Sequence, residues 1–104
     1  MTEIEGDGVI NQVRLENTKN ATISPLPVAG IFIAIGLKPN TSHLQGVVPV
    51  NRESYIITNE IMETGISGIF AAGDVRHNLA KQAITASVDG ATAAVSAEKF
   101  LSLP

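Results

Sequence analysis

An apolar run that closes on a glycine and an acid is the first place in this sequence where a ligand could be held: Gly68-Ile-Phe-Ala-Ala-Gly-Asp-Val75. Read as a strand ending at Gly73-Asp74 and passing through a loop into a helix, it sits where open α/β sheets bind their ligands, beyond the carboxyl ends of the strands. Gly73 would let a ligand approach the backbone, having no Cβ in the way. Asp74 would accept hydrogen bonds from ribose or polyol hydroxyls, with Val75 beside it. The bare Gly-Asp pair equally fits the start of an ordinary turn.

Lys81-Gln-Ala-Ile-Thr85 is the second such place, at the expected start of the last element. The first turn of a helix carries unpaired N–H groups and a partial positive charge, which suit an electron-rich carbonyl or a developing anion. A polar first turn followed by a core-facing stripe is the plainer alternative. Ala34-Ile-Gly-Leu-Lys-Pro-Asn40 is the third, a strand-to-loop junction whose glycine and proline also serve as turn residues. His43 and His77 are isolated from each other, and no metal site is expected from them. The chain has no cysteine, so a disulfide, a thiolate zinc site and a catalytic thiol are all excluded within it. Gly6-Asp-Gly8 begins like a dinucleotide fingerprint but lacks the third glycine, and reads as a hairpin turn.

The elements that must position these residues are short. Thr2–Glu5 and Val9–Leu15 flank the Gly6-Asp-Gly8 turn as a hairpin. Pro25 and Pro27 are expected to break any regular element. Val28–Gly36 is almost wholly apolar and is expected as a strand buried on both faces. Pro39 closes that run, because proline fixes φ and has no N–H to donate. Short strands are expected around Val47–Val50 and Tyr55–Thr58, and a second buried strand over Ile69–Gly73. The one clear helix runs from about Leu79 to Leu101, with Ile84, Val88, Ala91 and Val95 on one face. Gly90 lies inside it, and its Ala, Ser and Thr content suggests close packing against its backbone. The fold class is thus mixed α/β.

The 104 residues suffice for one small core, built on aliphatic side chains because aromatics are only 4%. Net charge is −3 with scattered basic residues, which argues against a nucleic-acid partner. No apolar run approaches the roughly 20 residues of a membrane span. The acidic start is unlike a secretory signal, so a cytoplasmic location is expected.

Taken together, Gly30-Ile-Phe-Ile-Ala-Ile-Gly-Leu-Lys-Pro-Asn-Thr41, Gly68–Val75 and Lys81-Gln-Ala-Ile-Thr-Ala86 resemble the C-terminal part of the low-molecular-weight thioredoxin reductases, FAD- and NAD(P)-dependent pyridine nucleotide-disulfide oxidoreductases. The flavoprotein subunit of alkyl hydroperoxide reductase and the thioredoxin-reductase-like ferredoxin–NADP reductases share much of this pattern. The resemblance implies a partial FAD/NAD(P)-binding Rossmann-like fold. Residues 1–36 would be the last strands of an NADPH domain and 37–104 the C-terminal segment of an FAD domain.

It also implies that Gly73, Asp74 and Val75 lie along the ribityl or ribose side of FAD. Lys81, Gln82 and Ala83 would line the flavin's pyrimidine edge. Many relatives have Arg where Lys81 stands, a swap that keeps the charge and loses bidentate geometry. The family's phosphate-binding glycine loops and Cys-x-x-Cys pair have no counterpart in this chain. It would supply flavin contacts, no catalytic group, and little or no activity alone. A thioredoxin-like protein would be the substrate of the complete enzyme. A non-catalytic module that pairs with itself or with a partner chain is the alternative.

Overall fold

The computed structural model describes residues 1–104, which divide into two compact units, Met1–Gly36 and Leu37–Pro104. The first unit is a three-stranded antiparallel meander: β1 (Glu3–Gly6), β2 (Ile10–Glu16) and β3 (Ile23–Pro27). The hairpin between β1 and β2 forms where expected. Its ladder pairs Ile4 with Val13 and shifts register between Glu5 and Gly6. A Cβ on Gly6 would fall 1.9 Å from the Val9 carbonyl oxygen, so the turn closes only over a glycine. Across β1 and β2, Glu5 accepts hydrogen bonds from both Gln12 and Arg14. Val13 is the buried residue at the centre of this sheet.

β3 corrects the expectation that Pro25 and Pro27 would break the chain. Leu26 pairs with Val13 and Pro25 with Arg14, while the Val28 N–H donates to Asn11 O. N–H groups alternate sides along a strand, so those of even-numbered residues face β2 and the two prolines fall on the outer edge. That is where a strand tolerates them.

Val28–Gly36 is a second correction, since it is neither a strand nor buried. No residue from 29 to 36 joins a ladder, and Phe32 and Ile35 are almost fully exposed. An apolar run becomes a buried strand only when neighbouring strands take up its backbone N–H and C=O groups. Within this unit β2 is already paired on both sides, by β1 and β3.

In the second unit the expected strands shrink to single bridges. Val50 pairs with Ile56, Ile56 with Arg76, and Glu63 with Phe70, in place of strands over 47–50, 55–58 and 69–73. What organises the chain here is a loop used twice. Asn51 Oδ1 accepts the N–H groups of Glu53 and Tyr55, and Asn59 Oδ1 accepts those of Ile61 and Glu63. Each loop then places its fourth residue, Ser54 or Met62, at positive φ. The side-chain oxygen replaces a strand partner, so the ladder is interrupted after one pair. The core beneath is small: Val48, Ile56 and Ala71, with Leu44, Val50 and Val75 against it.

The chain ends in α1 (Ala83–Ser102), rich in alanine and so in helix propensity. It begins four residues later than expected. Gln82 is extended, and its N–H donates to the Thr85 hydroxyl as a cap. Near the other end, Phe100 meets Phe70 edge to face, with ring centroids 6.2 Å apart.

The face that α1 presents to its own unit is also not the expected one. Ile84, Val88 and Val95 are exposed, whereas Asp89 is buried and Ala86, Thr92, Ala93, Ser96 and Ala97 are partly covered. The apolar face has nothing to pack on in its own unit. Nor does any atom lie within 4 Å of the place where a Cβ would sit on Gly90.

Candidate functional site

The single-turn 3-10 helix Gly73–Val75 follows the buried Ala71 and lies against the first half of α1. Two backbone bonds stitch it to the core loop: Ile56 N–H donates to Val75 O at 3.0 Å, and His77 N–H to Ile56 O at 2.7 Å. Gly73 has φ +79, a left-handed conformation that costs a side-chain-bearing residue roughly 1–2 kcal/mol. Its open α-carbon faces Ala86 of α1, 3.5 Å from a hypothetical Cβ. Backbone conformation and helix packing both favour the glycine here.

Beside this turn lies a cleft of about 280 Å³, lined by Leu37, Lys38, Pro39, Asn40, Tyr55, Asp74, Val75 and Lys81. Parts of all three sequence stretches thus meet in one place. Asp74 is exposed and turned to the cleft. Gln82 and Ala83 stand at the start of α1 next to Lys81, exposed and outside the cleft lining.

Lys81 is occupied by the chain itself. Its Nζ lies 3.9 Å from the centroid of the Tyr55 ring and donates to Arg76 O at 3.1 Å. A longer contact of 3.5 Å reaches Asn78 Oδ1. Tyr55 in turn donates from its hydroxyl to Leu37 O at 3.5 Å. The ammonium thereby staples the 76–81 loop over Tyr55, and its charge still faces the cleft.

Sequence reasoning missed Arg76 and Asp89. The Asp89 carboxylate accepts Arg76 Nε at 2.5 Å on one oxygen and Nη2 at 2.8 Å on the other, a bidentate pair. The Gly73 N–H adds a third bond at 3.1 Å. The Arg76 guanidinium holds the Asp89 carboxyl below its ordinary range, assisted by Gly73 and opposed by burial. Arg76 is correspondingly raised by its bond to Asp89. The available signal was an acid at a covered helix position four residues beyond Thr85, which only the identity of the covered face makes readable.

A larger cleft of about 410 Å³ runs along Arg76, Asn78, Ala80, Ile84, Thr85, Val88 and Asp89. Its charged groups are consumed by one another. The smaller cleft, where Asp74 is turned outward, is the better candidate site.

The family model for pyridine nucleotide-disulphide oxidoreductases matches residues 1–90. Thioredoxin reductase of Borreliella burgdorferi is 36% identical over 99 residues, covering 95% of this chain and 30% of the relative. The crystal structure of T. acidophilum thioredoxin reductase superposes with a TM-score of 0.79 at 33% identity, over 94% of this chain and 33% of that one. Lactococcus lactis thioredoxin reductase gives a TM-score of 0.78 at 39% identity, with 94% and 33% coverage. The chain therefore spans about a third of the length of these relatives.

Proposed function

This chain belongs to the pyridine nucleotide-disulphide oxidoreductase family, and we propose that it supplies one wall of a flavin site in an NADPH-dependent enzyme of the thioredoxin reductase type. One observation carries the reading: Asp74, Val75, Lys81 and the Leu37–Asn40 loop line a single cleft. In this reading residues 1–36 are the last strands of an NADPH domain, and 37–104 the C-terminal segment of an FAD domain. A thioredoxin-like protein is the substrate of the whole enzyme.

The residues present suit FAD. Asp74 accepts hydroxyl hydrogen bonds, while the Lys81 charge and the first-turn N–H groups of Ala83 and Ile84, which precede the capped Thr85 N–H, favour an electron-rich ring edge. Such helix-terminus interactions are worth about 0.3–2 kcal/mol each. When bound, FAD supplies two-electron chemistry between a nicotinamide and a disulfide. The chain's own part is to bind and orient, since it has neither a thiol nor a glycine-rich phosphate loop of its own.

Titrating FAD into the 15N-labelled chain tests this. Shifts confined to the amides of residues 73–75 and 81–84, saturating well above micromolar FAD, are expected, with no NADPH oxidation. Shifts elsewhere, or none at millimolar FAD, would remove the reading.

The open face of α1, where Ile84, Val88 and Val95 are exposed, favours a second reading. In it the chain is a non-catalytic module that associates through this surface. Light scattering after size exclusion decides: a monomer at micromolar concentration eliminates it.

A further inference from the structure

Asp74 sits between two residues that are both tied to Asp89. Gly73 is tied through its backbone N–H, and Arg76 through its guanidinium. Arg76 also returns its own N–H to Gly73 O at 3.1 Å, closing the turn on itself. Asp89 is the buried residue of α1, so the anchor belongs to the most regular element of the unit.

A buried ion pair is not needed for stability, because a well-packed apolar pair of similar volume commonly replaces it. Only a carboxylate, however, can take the Arg76 fork and the Gly73 N–H together. We propose that Arg76 and Asp89 are positioning residues, whose pair fixes the Gly73-Asp74-Val75 turn on α1 and thereby aims Asp74 into the cleft. That the cleft receives a flavin rests on the preceding reading; the positioning of the turn does not.

The two claims separate in one set of experiments on the full chain. In the double variant Arg76→Met with Asp89→Leu, the core is expected to survive, with the Ala71 amide keeping its hydrogen-exchange protection through its bond to Met62 O. The Gly73 amide, having lost its acceptor, should exchange about tenfold faster or more. FAD-induced shifts at Asp74 and Val75 should fall sharply while those at Ala83 persist. Asp89→Leu alone, which removes every acceptor at that position and leaves Arg76 in place, is the second variant and should shift Gly73 exchange in the same direction.

Unchanged Gly73 exchange in either folded variant overturns the proposal. So does a double variant that binds FAD as the parent does. If the parent shows no FAD-induced shifts, the flavin reading fails, and Gly73 exchange still decides the positioning.

Discussion

Asp89 is a buried acid on a helix whose aliphatic side chains are exposed, and its removal should be costly. Asp89→Ala leaves the Arg76 guanidinium covered and without its partner, for which a loss of about 3–5 kcal/mol is expected in urea denaturation. The pH dependence follows from the same pair. The Asp89 carboxyl is lowered in the folded chain, chiefly by its hydrogen bonds to Arg76. Its contribution is therefore complete above the ordinary carboxylate range and is lost as pH falls below about 4. Glu5 is lowered as well, by Arg14 and Gln12, so the parent's acid slope is composite. Subtracting the acid slope of a folded Asp89→Asn variant isolates the Asp89 part, and no difference between the two would refute the assignment. At Gly73 the positive φ predicts that Gly73→Ala loses roughly 1–2 kcal/mol by the same measurement.

Two elements make predictions that differ in sign. Gly90 lies exposed in the middle of α1 with open space where a Cβ would go. Gly90→Ala should raise stability by about 0.5–1 kcal/mol, read as a higher Tm. The twice-used asparagine loop points the other way. Asn59→Ala removes the acceptor for the Ile61 and Glu63 N–H groups and should cost about 1–2 kcal/mol. Along the outer face of α1, Val88→Glu should change stability by less than about 0.5 kcal/mol, because that side chain is 60% exposed. A large loss there would mean that the face is covered in solution.

For the whole molecule, the two units have unequal means of holding themselves together. Met1–Gly36 is a three-stranded meander around Val13, whereas Leu37–Pro104 has an aliphatic cluster, paired asparagine loops and a buried ion pair. A small sheet with one buried side chain has little to oppose its conformational entropy. Hydrogen exchange should therefore find β1–β3 less protected than Ala71 and Ile56. Equal protection in the two units would contradict this. The exposed Phe32, Ile33 and Ile35 add a large unpartnered apolar surface to the same unit.

Local chemistry made part of this legible without coordinates. The Asp-Gly hairpin and the long C-terminal helix are set by turn residues and helix propensity, which act between neighbours in the chain. The meeting of Leu37–Asn40, Asp74–Val75 and Lys81 at one cleft joins distant segments and belongs to the tertiary structure. Tertiary structure decided the rest. Val28–Gly36 has the composition of a buried strand but finds no sheet in its own unit, since strand formation depends on partners and not on composition. Pro25 and Pro27 read as breakers until the register put their missing N–H groups on an outer edge. The covered face of α1 could not be taken from apolar periodicity, because what lies opposite it is an arginine at the end of a turn. Burying Asp89 and leaving Ile84 exposed is a choice made by that neighbour, thirteen residues away.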